Sequence, residues 1–340
     1  CSEMAPPEHL YIWLLGASLW PGGAAGAAAP AIPADSVALQ GTSPFLRLLG
    51  VPRFETGVSV ESDALRLSLD IVNHADVGST PTESIELDGE SLYFDLEFRK
   101  AVTDRLSLEL DVPFINHSGG SLDNVIESWH DLFGLSNANR AGPSNELSIS
   151  YSEADRTVLE LREAQSGFGD VRGNAFWRLT GPRSPSGARF GLMMQVDLPT
   201  GDADSLFGNC ATDVSFGLLF DNVTISRGGD FVLSGAAGIT WPGSGDLIER
   251  QRRDRIGYGG VDVVWRAAAR WQVHAALYGH TAGFDSALPE LGRGSLQLAI
   301  AGRLALASEP GVFLDLGIVE DLVQDSTPDF TVQLSLRVYR

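Results

Sequence analysis

Acidic and basic side chains recur at every second position in several apolar runs. In SLYFDLEFRK (91–100), Tyr93, Asp95, Glu97 and Arg99 alternate with Leu92, Phe94, Leu96 and Phe98. In RLSLELDVPF (105–114), Ser107, Glu109 and Asp111 alternate with Leu106, Leu108, Leu110, Val112 and Phe114. The final strand-like run, FTVQLSLRVY (330–339), divides its apolar and polar residues in the same way. A period of two is that of a β-strand, which sends successive side chains to opposite faces. Charges in mid-strand do not suit the dry core of a sandwich. They suit the watery interior of a barrel, where opposed acids and bases shape the field that a solute meets. The same polar face carries Arg172, Arg178, Gln195, Asp197, Asp262, Arg266 and Arg303, which join Asp95, Glu97, Arg99, Glu109 and Asp111 as candidate pore-lining residues.

Three other groupings could do chemistry. Glu127 and His130 lie one helical turn apart, a spacing that serves metal sites when two such pairs converge; a second pair is lacking nearby, so no metal site is read. Asn116, His117 and Ser118 suggest a barrel-wall hydrolase, yet neighbours on a strand point to opposite faces and cannot pair directly. An orienting group and an oxyanion site are also needed, and no catalytic residue is assigned. The acidic stretch Gly201–Ser205 lacks the twelve-residue calcium-loop frame and reads as a turn. No cofactor is implied.

The elements that must position these residues are strands. Alternating runs continue near 64–75, 145–151, 156–162, 169–180, 187–198, 212–222, 229–240, 257–268, 270–280, 294–306, 311–320 and 329–339. Gly, Pro, Asn and Asp mark the turns between them. This gives twelve to fourteen candidates. Bacterial single-chain barrels have even strand numbers, which favours twelve. Many runs reach about ten residues, enough for a tilted strand to cross a bilayer. Longer irregular pieces near 200–211, 241–256 and 281–293 read as extracellular loops. Phe114, Trp177, Trp241, Tyr258, Trp265, Trp271, Tyr278, Phe330 and Tyr339 sit toward strand ends, as interfacial girdles do. One segment departs from this pattern. In SLDNVIESWHDLF (121–133), Leu122, Val125, Ile126, Trp129 and Phe133 recur at helical spacing. Its polar face carries Asp123, Glu127, His130 and Asp131, the candidates for a constriction helix.

Composition narrows the class. The chain has 340 residues, a formal net charge of -20, 38 Gly and two Cys. Such acidity argues against a nucleic-acid partner, because phosphate binding rests on Lys and Arg. Beyond the N-terminus no apolar run reaches the ~18 residues of a transmembrane helix. The apolar stretch His9–Trp20, followed by the small-residue run Gly22–Ala31, reads as a secretory signal over 1–31. Residues 32–60 are then expected to form a periplasmic N-terminal segment, and 61–340 the barrel.

Two stretches resemble known families. The residues Gly167, Gly169, Asp170 and Val171, followed by Leu198 to Asp202, resemble outer-membrane proteins linked to aromatic-compound degradation and uptake. More closely, Ser118, Gly119, Gly120, Leu122 and Asp123, leading into Ile126, Glu127, His130, Gly134 and Arg140, resemble a family of uncharacterised predicted Gram-negative outer-membrane proteins. That resemblance implies location and fold but assigns no activity.

The sequence therefore predicts an all-β chain: an up-and-down antiparallel transmembrane barrel of about twelve strands with one short helix near 121–133. The leading function is passage or binding of a small solute, hydrophobic ones among the candidates. A lipid hydrolase on the barrel wall and a structural protein with a closed lumen are the alternatives. The expected partners are outer-membrane lipid, the barrel-assembly machinery and the solute.

Overall fold

The computed structural model describes residues 36–56, 62–120, 147–154, 156–180, 187–226, 230–245, 248–307, 311–323 and 330–340. The signal region and the helix expected at 121–133, with Asp123, Glu127, His130 and Asp131, lie outside the described residues.

Twelve antiparallel strands close a barrel. They are β1 (Ala64–Ser79), β2 (Glu83–Ala101), β3 (Leu106–Ser118), β7 (Val171–Arg178), β8 (Arg189–Leu198) and β9 (Asp213–Thr224), then β10 (Phe231–Trp241), β11 (Ile256–Ala268), β12 (Trp271–His280), β13 (Ser295–Ala307), β14 (Gly311–Asp321) and β15 (Phe330–Tyr339). Each pairs with its neighbours in sequence, and β15 returns to β1 with Ala64 opposite Tyr339 and Asn73 opposite Phe330. Closure leaves no sheet edge, as a lipid-exposed sheet requires. Among the described residues no helix is long and apolar enough to cross a membrane.

The alternation seen in the sequence maps onto the two faces. Phe94, Leu96, Phe98, Leu108, Leu110, Leu192, Phe216, Leu218, Leu277, Ile300 and Leu316 are exposed on the outside. A soluble protein does not leave so broad an apolar belt in water; lipid covers it. Trp177, Trp265 and Trp271 are exposed near one end of the barrel, and Phe231 stacks on Trp265 with ring centroids 6.2 Å apart. Trp241 meets Phe216 near the other end at 5.9 Å. Tyr258 and Tyr278, expected in the girdles, are buried inside instead. Both lie one strand position from outward residues, Gly257 and Leu277, and the two-residue period then turns them to the lumen.

Two of the runs expected as wall strands are not in the wall. The strands β4 (Ser148–Glu153) and β5 (Arg156–Leu161) form a hairpin that pairs with Glu83–Asp88 of β2, and β6 (Gln165–Phe168) pairs with the end of β3. The long β1–β2 hairpin projects past the wall to meet them. Together with the segments 199–212, 242–255 and 281–294 they cover the end opposite the chain terminus. These segments are the longer irregular pieces noted in the sequence and they share one end, while the turns at the terminus end, such as 102–105 and 269–270, are short.

The segment expected in the periplasm occupies the barrel interior. Residues 36–56 form a loop whose arms are bridged by Leu39 and Phe54, with Leu39 N donating to Phe54 O at 3.3 Å and Phe54 N to Leu39 O at 2.5 Å. Its tip carries a short helix, α1 (Pro44–Arg47). Val37, Leu39, Phe45, Leu46, Leu49 and Phe54 are buried. Burying these groups, together with the guanidiniums that follow, is what draws the segment inward.

Replacing Leu218, 63% exposed in mid-strand, by Arg should lower the unfolding free energy in lipid by about 2–4 kcal/mol. A water-facing position would change by less than about 0.5 kcal/mol. Urea titration in vesicles distinguishes the two.

Candidate functional site

Strand pairing aligns charges of β1, β2, β3, β7 and β8 into one row across the inner wall. Arg66 lies opposite Glu97, Glu97 opposite Asp111, Asp111 opposite Arg172, and Arg172 opposite Asp197. Like charges placed directly opposite, as in Glu97 and Asp111, are unfavourable unless a cation lies between or beside them. Arg172 supplies one, donating to Asp111 at 3.0 Å. The N-terminal segment supplies others.

Arg47 of α1 donates to both oxygens of Asp95, at 3.2 and 3.1 Å, and its guanidinium carbon lies 3.9 Å from the Tyr93 ring centroid. Arg53 pairs with Glu97 at 2.7 Å, with Asp70 at 3.6 Å and with Asp95. Glu55 completes the set from the same segment, reaching Arg66 at 3.0 Å and Arg99 at 2.9 Å. Arg99 also pairs with Glu109 at 2.7 Å and stacks over Phe176. Oxygens of Glu55, Glu97 and Glu109 approach within 4.8 Å of one another, a separation a metal could bridge. Guanidiniums already neutralise all three.

Neutral bonds hold the rest of the segment. Gln195 donates to Gly50 O at 3.0 Å, Ser215 to the same oxygen at 3.2 Å, and Tyr278 to Pro52 O at 3.0 Å. Gly50 sits at φ +60 with Asp213 close beneath it, where a side chain would meet both strain and a clash. Near the terminus end, Arg303 pairs with Asp315 at 2.7 Å, and Arg303 and Arg337 both donate to Ser36 O, at 3.4 and 3.1 Å. His274 meets Asp262 at 2.7 Å. The spaces left beside Arg66 are about 20 Å³ each, room for about one water. Residues 36–56 pack into this part of the interior.

Eleven of the twelve sequence-nominated residues are buried: Asp95, Glu97, Arg99, Glu109, Asp111, Arg172, Arg178, Gln195, Asp197, Asp262 and Arg303. Among them Arg178 lies toward the terminus rim and donates to Asp104 O, and the half-buried Arg266 donates to Asn222 Oδ1 there at 2.9 Å. Sequence reading missed Arg47, Arg53 and Glu55. The signal was present in PFLRLLGVPRFE (44–55), where arginines punctuate an apolar run too greasy for a free spacer. His117 and Ser118 do not pair. His117 Nδ1 meets Ser91 Oγ at 2.7 Å, and Ser91 meets His74 Nε2 at 2.8 Å, in a fully buried cluster under Phe207.

The Gly167–Val171 and Leu198–Asp202 stretches come together at the loop end. Asp170 accepts from Gly201 N at 2.7 Å and Asn209 N at 3.1 Å, while Thr200 Oγ1 donates to Gly169 O at 3.0 Å. A second polar knot ties the cap. Tyr151 and Ser286 each donate to Glu83 at 2.9 Å, Ala287 N does so at 3.3 Å, and Gln251 donates to Tyr151 at 3.0 Å. Tyr151 also touches Phe45 of α1 edge-on at 6.2 Å.

Comparison with known proteins follows this architecture. A family model described as a protein of unknown function, DUF3187, matches residues 28–339. The chain belongs to the DUF3187 family. Its match includes the lumen segment as well as the wall. The COG4313 outer membrane channel of Pseudomonas putida F1 has the same fold, with a TM-score of 0.53 at 13% identity, over 82% of this chain and 96% of that one. The NanC porin aligns with a TM-score of 0.43 at 7% identity, over 82% and 98%. The Pseudomonas putida toluene transporter TodX aligns with 0.38 at 11%, over 82% and 89%. No curated protein matches this DUF3187 member in sequence.

Burial works to raise the Glu83 carboxyl, but the hydrogen bonds from Tyr151, Ser286 and Ala287 outweigh it and hold the group below its ordinary value of 4.5. A depressed carboxylate stabilises the fold above its unfolded pKa, and that contribution is lost as pH falls through the folded value. Amide exchange in 83–88 should therefore accelerate below about pH 4.5 relative to the wall strands. Glu83→Gln should exchange faster at neutral pH and lose this acid dependence.

Proposed function

We propose that the protein conducts a small solute across the outer membrane of a Gram-negative bacterium, through a lumen that residues 36–56 hold shut at rest. The observation that carries this reading is the loop within the barrel. It is bound by side-chain and carbonyl contacts, and none of the wall's ladder hydrogen bonds passes through it. It can leave without opening the sheet. Both arms of the loop point to the end with short turns, the periplasmic end by the usual rule. Withdrawal would be toward that side. The fold shared with an outer membrane channel supports the reading.

The chemistry of the contacts suits a reversible closure. A buried ion pair gives back in attraction much of what desolvation costs, so it fixes position more than it adds stability. In a hydrated lumen, water can replace each contact. This reading assigns a constriction to the N-terminal segment.

Planar bilayer recordings test the proposal. The native chain should be mostly closed. Arg47→Gln with Arg53→Gln should raise the open fraction at least about tenfold, because breaking a buried pair on one side costs about 3–5 kcal/mol of docking. Silence in both proteins, with the β-sheet circular dichroism intact, would overturn the reading in favour of a structural barrel with a permanently closed lumen.

A further inference from the structure

The lumen has two unlike walls, and the loop between them is amphiphilic in the matching sense. On the β1–β3 and β7–β8 side, Asp70, Asp95, Glu97, Glu109, Asp111 and Asp197 face inward against the wall arginines Arg66, Arg99 and Arg172, with Arg178 buried toward the rim. The excess is acidic, and Arg47 and Arg53 of the loop answer it. On the β11–β13 side the inner wall is mixed: Asp262, Gln272, His274, Gln297 and Arg303 are buried in it, and a small apolar patch lies where Phe54 packs. Ala276 and Ala299 are fully buried there, beside Ile256 and Tyr278. Phe54 packs on Tyr278 with ring centroids 6.0 Å apart. Gly260 admits it, since a Cβ at that position would lie 3.0 Å from the Phe54 ring.

Asp70, Asp95 and Glu97 therefore form a cradle for guanidinium or ammonium groups, roofed by the Tyr93 ring that Arg47 covers at 3.9 Å. Carboxylates with an aromatic face are what recognise an organic cation. The apolar patch of Ala276, Ala299 and Tyr278 that packs on Phe54 suits a ring or alkyl body. Resting on the channel reading above, we infer that the solute is an organic cation with an apolar body, an amine or guanidine bearing an aromatic or alkyl group. Its charged head takes the place of Arg53 or Arg47, and its body that of Phe54. The loop is an internal stand-in for the solute, and the two compete for one cradle.

The inorganic-cation preference of the open lumen follows from the same charges. After the loop withdraws, Asp70, Asp95, Glu97, Glu109, Asp111 and Asp197 would outnumber Arg66, Arg99, Arg172 and Arg178 on this side of the wall, and a field of that sign admits cations over anions.

Isothermal titration on the detergent-purified full chain carrying Arg53→Gln, repeated with Arg47→Gln, tests the inference. The probes are phenethylammonium, phenylpropionate and phenethyl alcohol, which share a body and differ in charge. Phenethylammonium should bind at least about tenfold more tightly than the other two. Adding Asp95→Asn should remove that preference, with thermal melting confirming the fold of each variant. The native chain should bind it more weakly than either Arg variant, because the loop competes. Equal binding of all three probes, or preference for phenylpropionate, overturns the inference. So does an absence of binding by folded variants that conduct in bilayers, which leaves the channel reading standing. Selective binding by variants that do not conduct upholds the cradle and removes the channel reading.

Discussion

The pairing of two loop arginines with three wall carboxylates is the interaction on which the interior depends. Without Arg47 and Arg53, Asp70, Asp95 and Glu97 would lie together on adjoining strands with too few cations nearby. Such a cluster is tolerable in a water-filled pore and costly in a dry one. The loop therefore decides which kind of interior this is. Docked, it excludes water and neutralises the row. The withdrawal proposed above would leave an acidic wall. The ladder hydrogen bonds close the barrel independently of what fills it.

The outer face imposes a separate constraint. Every strand must offer apolar side chains to lipid at alternate positions, and this dictates where the charges can go. Asp95 and Glu97 are inward because Phe94, Leu96 and Phe98 are outward. Parity explains the placement of Tyr258 and Tyr278 as well. An aromatic near a strand end reads as a girdle residue until its register relative to outward neighbours is counted. The glycines beside them make the loop's fit possible: Gly260 leaves room for Phe54, and Gly50 turns the chain where a side chain would strike Asp213.

The cap shows how strand pattern and strand partnership differ. The runs near 145–151 and 156–162 alternate as wall strands do, and they are strands. Their inward-turned residues, Ile149, Tyr151, Leu159 and Leu161, are apolar, and their buried face joins the apolar cluster that also holds Phe45 and Leu46 of the loop. The mature lumen strands bury charge at those positions. That contrast was present in the sequence and separates the two kinds of hairpin. The Gly167–Val171 and Leu198–Asp202 stretches were visible as motifs, but their joining through Asp170 depends on loops that meet only after the barrel closes.

Taken by itself, the sequence determined the barrel, the number of wall strands it favours, and which side of each strand carries charge. It could do so because a strand's period is local and lipid demands it of every strand. It also marked eleven of the polar side chains now found buried. Tertiary structure alone decided that residues 36–56 enter the lumen, that Arg47, Arg53 and Glu55 complete the charge row, and that β4 and β5 stand outside the wall. Most of those outcomes rest on contacts between residues far apart in sequence, such as Arg47 with Asp95, 48 positions apart, and Ser286 with Glu83, 203 apart. No local period encodes which distant carboxylate an arginine will meet. Only closure of the barrel brings the partners within reach.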